Sequence, residues 1–155
     1  MGNVYWAESG ESVLIVIATE NELALVDKCD QDRCIIAGVG ALNVIHALMD
    51  VDRNEPILNV GYVGSNCIPV GTKVRVGSSQ LYHPNADFES PVYDLCGDVP
   101  CFTSNDFVTK TSIEEPCVFD MELAYILAMG FKNVSSDKTV SDNLDLNEYT
   151  SYIGR

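Results

Sequence analysis

Six consecutive apolar residues near the start of the chain, Val13-Leu-Ile-Val-Ile-Ala18, limit the folds that it can adopt. A run of this length is typical of a strand with both faces buried, as in a parallel sheet. Shorter apolar runs recur downstream and alternate with stretches that favour helices. This alternation predicts an α/β fold with a mixed, mostly parallel central sheet flanked by helices.

Turn and loop signals divide the chain into short elements within one domain, residues 1–155, in which residues 1–12 form a lead-in. The predicted strands cover residues 13–18, 34–37, 57–60, 72–76, 80–82, 101–103, 118–119 and 133–140. The predicted helices cover residues 20–27, 41–50 and 120–129. Gly-rich turns are predicted at residues 38–40 and 61–64, and a long loop at residues 83–99.

Two of the predicted helices have further support in the sequence. Thr19 can cap the first helix, and Glu22, three residues later, completes a capping box. In the second helix, the helical spacing of Leu42, Ile45 and Met49 places these side chains on one apolar face.

The composition is that of a globular protein whose charge disfavours polyanionic partners. Apolar residues make up 46% of the chain, and nine Lys and Arg against 23 Asp and Glu give a net charge of −14. Nucleic acids and anionic membranes need patches of Lys and Arg, so neither is an expected partner. No apolar run reaches the roughly 18 residues that a membrane-spanning helix needs. The first dozen residues contain no export signal, so we expect a cytoplasmic protein.

Six cysteines raise the question of disulfides or a metal site. In a reducing cytoplasm thiols stay unpaired, and we expect most of these six to be small buried apolar residues. Their C-x4-C spacings differ from the C-x2-C pattern of zinc sites. We therefore predict no metal and no cofactor.

Four acidic residues stand at or just after predicted strand ends: Glu22, Asp106, Glu122 and Asp142. Open α/β sheets bind ligands beyond the carboxyl ends of their strands, and carboxylates there can act as general acids and bases. With 23 acidic residues in the chain, the same positions also fit helix caps or solvated loops. The spacing alone leaves both interpretations open.

Seven short segments, taken in order, resemble the nucleoside phosphorylase/nucleosidase superfamily, and most closely its methylthioadenosine/S-adenosylhomocysteine nucleosidase branch. The segments are Ile17-Ala-Thr-Glu-Asn-Glu22, Gly38-Val-Gly40, Asn59-Val-Gly-Tyr-Val-Gly64, Val70-Gly-Thr-Lys-Val-Arg75, Thr103-Ser-Asn-Asp-Phe-Val108, Val118-Phe-Asp-Met-Glu122 and Val140-Ser-Asp142. The most specific of them is the Val118–Glu122 segment, which is similar to the family's Val-Glu-Met-Glu signature.

The resemblance implies catalytic roles for Asp142 and Glu22 and a supporting role for Ser141. Asp142 would be the general acid that protonates N7 of a purine, and Ser141 would orient it. Glu22 would activate the attacking water. Such a set suits cleavage of an N-glycosidic bond, which builds positive charge on the sugar and negative charge on the leaving base.

The resemblance also implies a set of substrate-binding residues. Glu122 would bind the ribose hydroxyls, and Met121 would pack against the sugar. Phe107 would stack on the base, and the backbone of Val108 would bond to its edge. Tyr62 stands where the family has a small residue, and we expect it to narrow the pocket.

The chain departs from the family pattern in its length. Only 13 residues follow Asp142, so we expect the fold to lack the usual long C-terminal helix. The sheet face that this helix normally covers would then be covered by a second subunit, and we expect a homo-oligomer. The alternative is that the polar strand residues Ser135–Thr139 have adapted that face to solvent.

The expected activity is hydrolysis of a purine nucleoside such as methylthioadenosine or S-adenosylhomocysteine. Phosphorylases of the superfamily hold phosphate with arginines. This chain has only four arginines, and Asn59 stands where a phosphorylase would have an arginine. Water is therefore the expected nucleophile. Two alternatives stay open: a relative that binds a nucleoside or base without cleaving it, and a phosphate-dependent phosphorylase.

Overall fold

A computed structural model of the chain describes residues 13–84 and 89–154, so the predicted lead-in at residues 1–12 lies outside the described residues. The strands are β1 Leu14–Ile17, β2 Cys34–Ile36, β3 Ile57–Ser65, β4 Lys73–Leu81, β5 Tyr93–Asp94, β6 Val99–Thr103, β7 Val118–Asp120 and β8 Val134–Asp142. The α-helices are α1 Ala41–Leu48, α2 Leu123–Ala128 and α3 Leu146–Ile153. Two 3-10 helices cover Glu20–Leu25 and Lys28–Arg33.

The described strands form one mixed sheet, as the sequence predicts. Its order is β2-β1-β3-β7-β6-β4-β5, and β8 pairs with both β3 and β4. The parallel pairs are β1–β2, β1–β3, β3–β8, β4–β6 and β6–β7, and the antiparallel pairs are β3–β7, β4–β5 and β4–β8. Strands β1, β3 and β8 run in the same direction, so their carboxyl ends meet at one edge.

Strand β1 is apolar throughout because both of its faces are covered. Ile15 and Ile17 pack with residues of β3 on one face. Val16 points to the other face and packs with Val44 of α1 and Ile126 of α2. The initial apolar run is therefore correctly interpreted as a strand buried on both sides.

Two predicted boundaries inside the sheet are wrong because strand pairing overrides local turn preference. Residues 61–64, predicted as a turn, continue β3, and their backbone pairs with β8 up to Asp142. Residues 72–76 and 80–82, predicted as two strands, form the single strand β4. The loop predicted at residues 83–99 contains the short strand β5.

The predicted faces and bounds of the helices also need correction. The first predicted helix is a 3-10 helix, and α2 begins at Leu123 because the residues up to Asp120 belong to β7. Helix α1 forms as predicted, but its inward residues are Val44 and Leu48, both fully buried.

The predicted apolar face of α1 points outward instead of into the core. The exposed fraction of Leu42 is 84%, and Ile45 and Met49 are also exposed. Val44 and Leu48 are one turn apart on the opposite side, and that pair packs against the sheet and α2. The outward face is therefore an exposed apolar surface of the described chain.

The end of the chain differs from the sequence expectation in two ways. Strand β8 is polar but buried: Ser136 Oγ donates to Asn59 Oδ1 at 3.0 Å, and Lys138 Nζ donates to Asp120 Oδ2 at 3.3 Å. The alternative in which this strand faces solvent is therefore wrong. After β8 the chain forms α3, a C-terminal helix of eight residues. This short helix was not predicted from the sequence.

No two cysteines of the described residues form a disulfide, and fewer of them are buried than the sequence suggested. Cys101 and Cys117 are buried, Cys34 is half-buried, and the others are exposed. None of the helices in residues 13–84 and 89–154 combines the length and apolar character needed to cross a membrane.

The buried Asp120–Lys138 ion pair generates a prediction about stability. Lys138→Met should lower the free energy of unfolding by about 3–5 kcal/mol, because it leaves the Asp120 carboxylate buried without its counter-ion. Urea denaturation measures the loss. The matched control is the double variant Asp120→Asn/Lys138→Met, which removes both charges and should recover part of it. Equal losses in the single and double variants would mean that an uncompensated charge is not the cause.

Candidate active site

One cavity at the carboxyl ends of β1, β3 and β8, beside β7, brings together most of the residues singled out in the sequence. Its described lining comprises Ala18, Thr19, Glu22, Val39, Tyr62, Val63, Gly64, Asp106, Phe107, Val108, Phe119, Asp120, Met121, Glu122, Asp142 and Tyr149. Of the candidate site residues, only Ser141 is absent from this lining, and its hydroxyl bonds to the side chain of Asp142. The four acidic residues at strand ends therefore share one site.

Glu22 is buried at the edge of this cavity and is held by three backbone N–H groups. Its Oε1 accepts from Ala18 at 2.7 Å and from Thr19 at 3.4 Å. Its Oε2 accepts from Tyr62 at 2.9 Å. The bond from Thr19 belongs to the predicted capping box. Glu22, which completes this box, therefore also places its carboxylate in the site.

Two glycines of β3 make room for the acidic side chains. A Cβ atom at Gly61 would lie 2.7 Å from Oε2 of Glu22. A Cβ atom at Gly64 would lie 2.9 Å from Oδ2 of Asp142. Neither distance is compatible with an ordinary contact, so both carboxyl groups approach the strand only because these positions lack side chains.

Asp142 ends strand β8 and lies fully buried beside the cavity. Ser141 Oγ donates to its Oδ1 at 2.8 Å, and the N–H of Leu144 donates to its Oδ2 at 3.0 Å. Leu144 adopts a left-handed backbone with φ 64°, which is uncommon for a residue other than glycine. Burial raises the pKa of Asp142, and the hydrogen bonds from Ser141 and Leu144 oppose that rise.

Glu122 lies beside a buried ion pair that the sequence analysis missed. Asp120 Oδ2 accepts from the N–H of Leu123 at 2.7 Å and from Nζ of Lys138 at 3.3 Å. Burial raises the pKa of Glu122 to about 8, with the negative charges of Asp120 and Glu22 adding to the rise and Lys138 opposing it. The only sequence signal for Lys138 was that it is the single cation of the predicted strand at residues 133–140.

Two aromatic contacts join α3 to residues of the cavity lining. The rings of Phe107 and Tyr149 are 5.6 Å apart and inclined at 62°. The rings of Tyr62 and Tyr152 are 5.8 Å apart and inclined at 76°. Both tyrosines from residues 149–152 belong to α3, so the sequence analysis, which expected no such helix, could not include Tyr149 in the site.

The loop that carries Phe107 is fixed at both ends. Near its start, Asn105 Oδ1 accepts from the N–H of Ala41 at 2.9 Å. Near its end, Asn66 Nδ2 donates to the carbonyl oxygens of Ile113 and Glu115 at 2.9 and 2.8 Å. These bonds hold Phe107 and Val108 at the cavity.

The charges of the lining are of one sign. None of the described lining residues is Lys or Arg, and Lys138 lies behind Asp120 rather than in the lining. Among the described residues, no group of three or more His, Cys, Asp and Glu has an arrangement that could hold a metal ion.

The raised pKa of Glu122 predicts a dependence of stability on pH. Between about pH 4.5 and pH 8 the folded protein keeps a proton on Glu122 that the unfolded chain releases, so this group destabilises the fold progressively as the pH rises. Glu122→Gln should therefore lose less stability than the wild type between pH 5 and pH 8, as measured by urea denaturation. Glu20→Gln, at an exposed position, is the control and should follow the wild type. Parallel curves for Glu122→Gln and the wild type would contradict the assigned proton.

No protein-family model matches the sequence, and no curated protein matches it. Solved structures do match. The S-adenosylhomocysteine nucleosidase of Streptococcus pyogenes, in complex with 5-methylthiotubericidin, has a TM-score of 0.73 and 16% identity, covering 93% of this chain and 90% of its own. A methylthioadenosine/S-adenosylhomocysteine nucleosidase (MTAN) of Chlamydia trachomatis has a TM-score of 0.74 and 12% identity, covering 92% of this chain and 89% of its own. The futalosine hydrolase of Helicobacter pylori has a TM-score of 0.70 and 11% identity, covering 94% and 92%. The chain therefore has the α/β fold shared by methylthioadenosine/S-adenosylhomocysteine nucleosidases and futalosine hydrolase.

Proposed function

We propose that the protein hydrolyses the N-glycosidic bond of a purine nucleoside, with Asp142 as the general acid and Glu22 activating the attacking water. One observation carries the proposal: Asp142, Glu22 and Glu122 line a single cavity in different environments. A buried carboxyl with a raised pKa and a carboxylate held by backbone N–H groups are suited to opposite proton-transfer roles. The fold shared with known nucleosidases supports this assignment.

The environments of the acidic residues match the charges that develop in the reaction. The leaving purine becomes negative, and Asp142, whose burial favours the protonated form, supplies a proton to N7. Ser141 fixes the orientation of this carboxyl group through its 2.8 Å hydrogen bond. The sugar becomes positive, and Glu22 stabilises it while accepting a proton from the water.

The remaining site residues bind the substrate. Phe107 stacks on the base, and the backbone of Val108 bonds to its edge. Met121 packs against the sugar, and Glu122 binds the ribose hydroxyls. With a pKa of about 8, Glu122 carries a proton at neutral pH and can donate as well as accept in those bonds. Tyr62, next to Gly61, narrows the cavity on the side of Glu22.

Water rather than phosphate is the proposed nucleophile. A phosphate dianion needs cationic partners, and the described lining contains acidic residues but no Lys or Arg. The ammonium of Lys138 lies outside the described lining and is paired with Asp120. Among purine nucleosides we propose methylthioadenosine, S-adenosylhomocysteine or a close relative, because the names of the structural neighbours include these compounds.

We also propose that the protein is a homo-oligomer. The outward face of α1, formed by Leu42, Ile45 and Met49, is an exposed apolar surface of the kind that subunits bury. Val39, just before this helix, is exposed and lines the cavity, so a subunit covering the face would lie close to the site. The cytoplasmic location stays a prediction from the sequence.

A chromatographic time course tests the activity. The purified protein is incubated with methylthioadenosine, S-adenosylhomocysteine, adenosine or inosine, each with and without phosphate. We expect free base to appear at the same rate in both conditions. Release that requires phosphate would identify a phosphorylase, and tight binding without release would identify a nucleoside-binding protein.

The role of Asp142 is tested by replacing its carboxyl group. Asp142→Asn should lower kcat by about 10²–10⁴-fold, the usual contribution of a general acid, because the amide cannot protonate N7. Asp94→Asn, at an exposed position in β5, is the matched control and should keep the wild-type rate. Turnover by a folded Asp142→Asn variant at the wild-type rate would rule out the proposed acid.

A further inference from the structure

Helix α3 has no buried residue of its own, yet it reaches the cavity with one side chain. Tyr149 belongs to the cavity lining, and its ring meets that of Phe107 at a centroid distance of 5.6 Å. Three residues later, Tyr152 meets Tyr62 but does not belong to the lining. One face of α3 therefore presents two tyrosines to the body of the protein, and only Tyr149 borders the space for a ligand.

We infer that Tyr149 is a substrate-contacting residue that forms, with Phe107, an aromatic corner for a planar heterocyclic base. This inference rests on the proposed function, which it deepens by adding a second aromatic wall to the base subsite. The inclination of 62° between the two rings matters, because a planar ligand stacked on one ring presents its edge to the other. Both face-to-face and edge-to-face contacts between aromatic rings are favourable.

Tyr149 also carries a hydroxyl group, and this residue shares the cavity lining with Glu22 and Glu122, the residues proposed to act at the sugar. Burial raises the pKa of this hydroxyl, and the negative charges of Glu22, Glu122 and Asp142 add to the rise. The phenol is therefore a protonated donor at neutral pH, close to the acidic residues that face the sugar. The ring binds the base, and the hydroxyl group donates a hydrogen bond on the sugar side.

Titration calorimetry with adenine and hypoxanthine separates these two contributions from catalysis, because binding a free base requires no turnover. Tyr149→Ala should weaken the tighter-binding base about tenfold, since base–aromatic contacts are lost. Tyr149→Phe keeps the ring and should bind the base within about twofold of the wild type. In steady-state assays with the nucleoside, Tyr149→Phe should raise KM about threefold through the missing hydrogen bond.

Tyr152→Ala is the matched control, because it removes the other aromatic contact of the same helix outside the cavity. It should bind the free base more tightly than Tyr149→Ala does. An equal loss in both variants would mean that Tyr149 only holds α3 in place, and the inference would fail. Tyr149→Leu keeps apolar bulk without an aromatic face, and it replaces Tyr149→Ala if circular dichroism shows that the alanine variant is unfolded.

The outcomes distinguish this inference from the proposed function. Base binding that depends on Tyr149, in a wild-type protein that cleaves no nucleoside, would keep the inference and reject the hydrolase. Cleavage by the wild type with base affinity unchanged in Tyr149→Ala would reject the inference alone. Absence of binding of both bases by the wild type at millimolar concentration would also overturn it.

Discussion

The buried ion pair between Lys138 and Asp120 is the interaction on which the site depends. It joins β7 and β8, two strands that both pair with β3 but not with each other in the described sheet. Asp120 also accepts hydrogen bonds from the hydroxyl of Thr103 and the N–H of Leu123, so one carboxylate links four elements of the fold. Without this ammonium, the cavity would gather buried acids with no compensating charge, which is costly in a low-dielectric interior.

The acidic residues near this ammonium are not equivalent, and their differences come from local structure. Glu22 is held by backbone N–H groups because it follows β1 by one turn of 3-10 helix. Glu122 stands at the start of α2 close to Asp120, where burial and neighbouring charge favour its protonated form. Asp142 is buried at the end of β8 and receives a serine and a backbone donor. The fold thus produces different acid–base properties from side chains of the same chemistry.

The sequence was most informative where a local pattern has one structural solution. The apolar run at residues 13–18 required a strand covered on both faces, and Thr19 with Glu22 formed the expected capping interaction. It was least informative where distant pairing decides the outcome. Gly61 and Gly64 have the local signature of a turn, yet β8, more than 70 residues later, keeps them extended so that two carboxyl groups fit against the strand. The structural role of Lys138 depends on its ion pair with Asp120, and no rule of sequence spacing connects these two positions.

Leu144, with its left-handed backbone, connects the acid to the closing helix within three residues. Its N–H bonds to Asp142, and α3 starts two residues later and carries Tyr149 back over the cavity. The hydrogen bond that Leu144 donates to the acid and the chain direction that leads into α3 therefore depend on the same left-handed residue. The acid and the helix that borders its cavity are positioned by one short connection rather than by independent parts of the molecule.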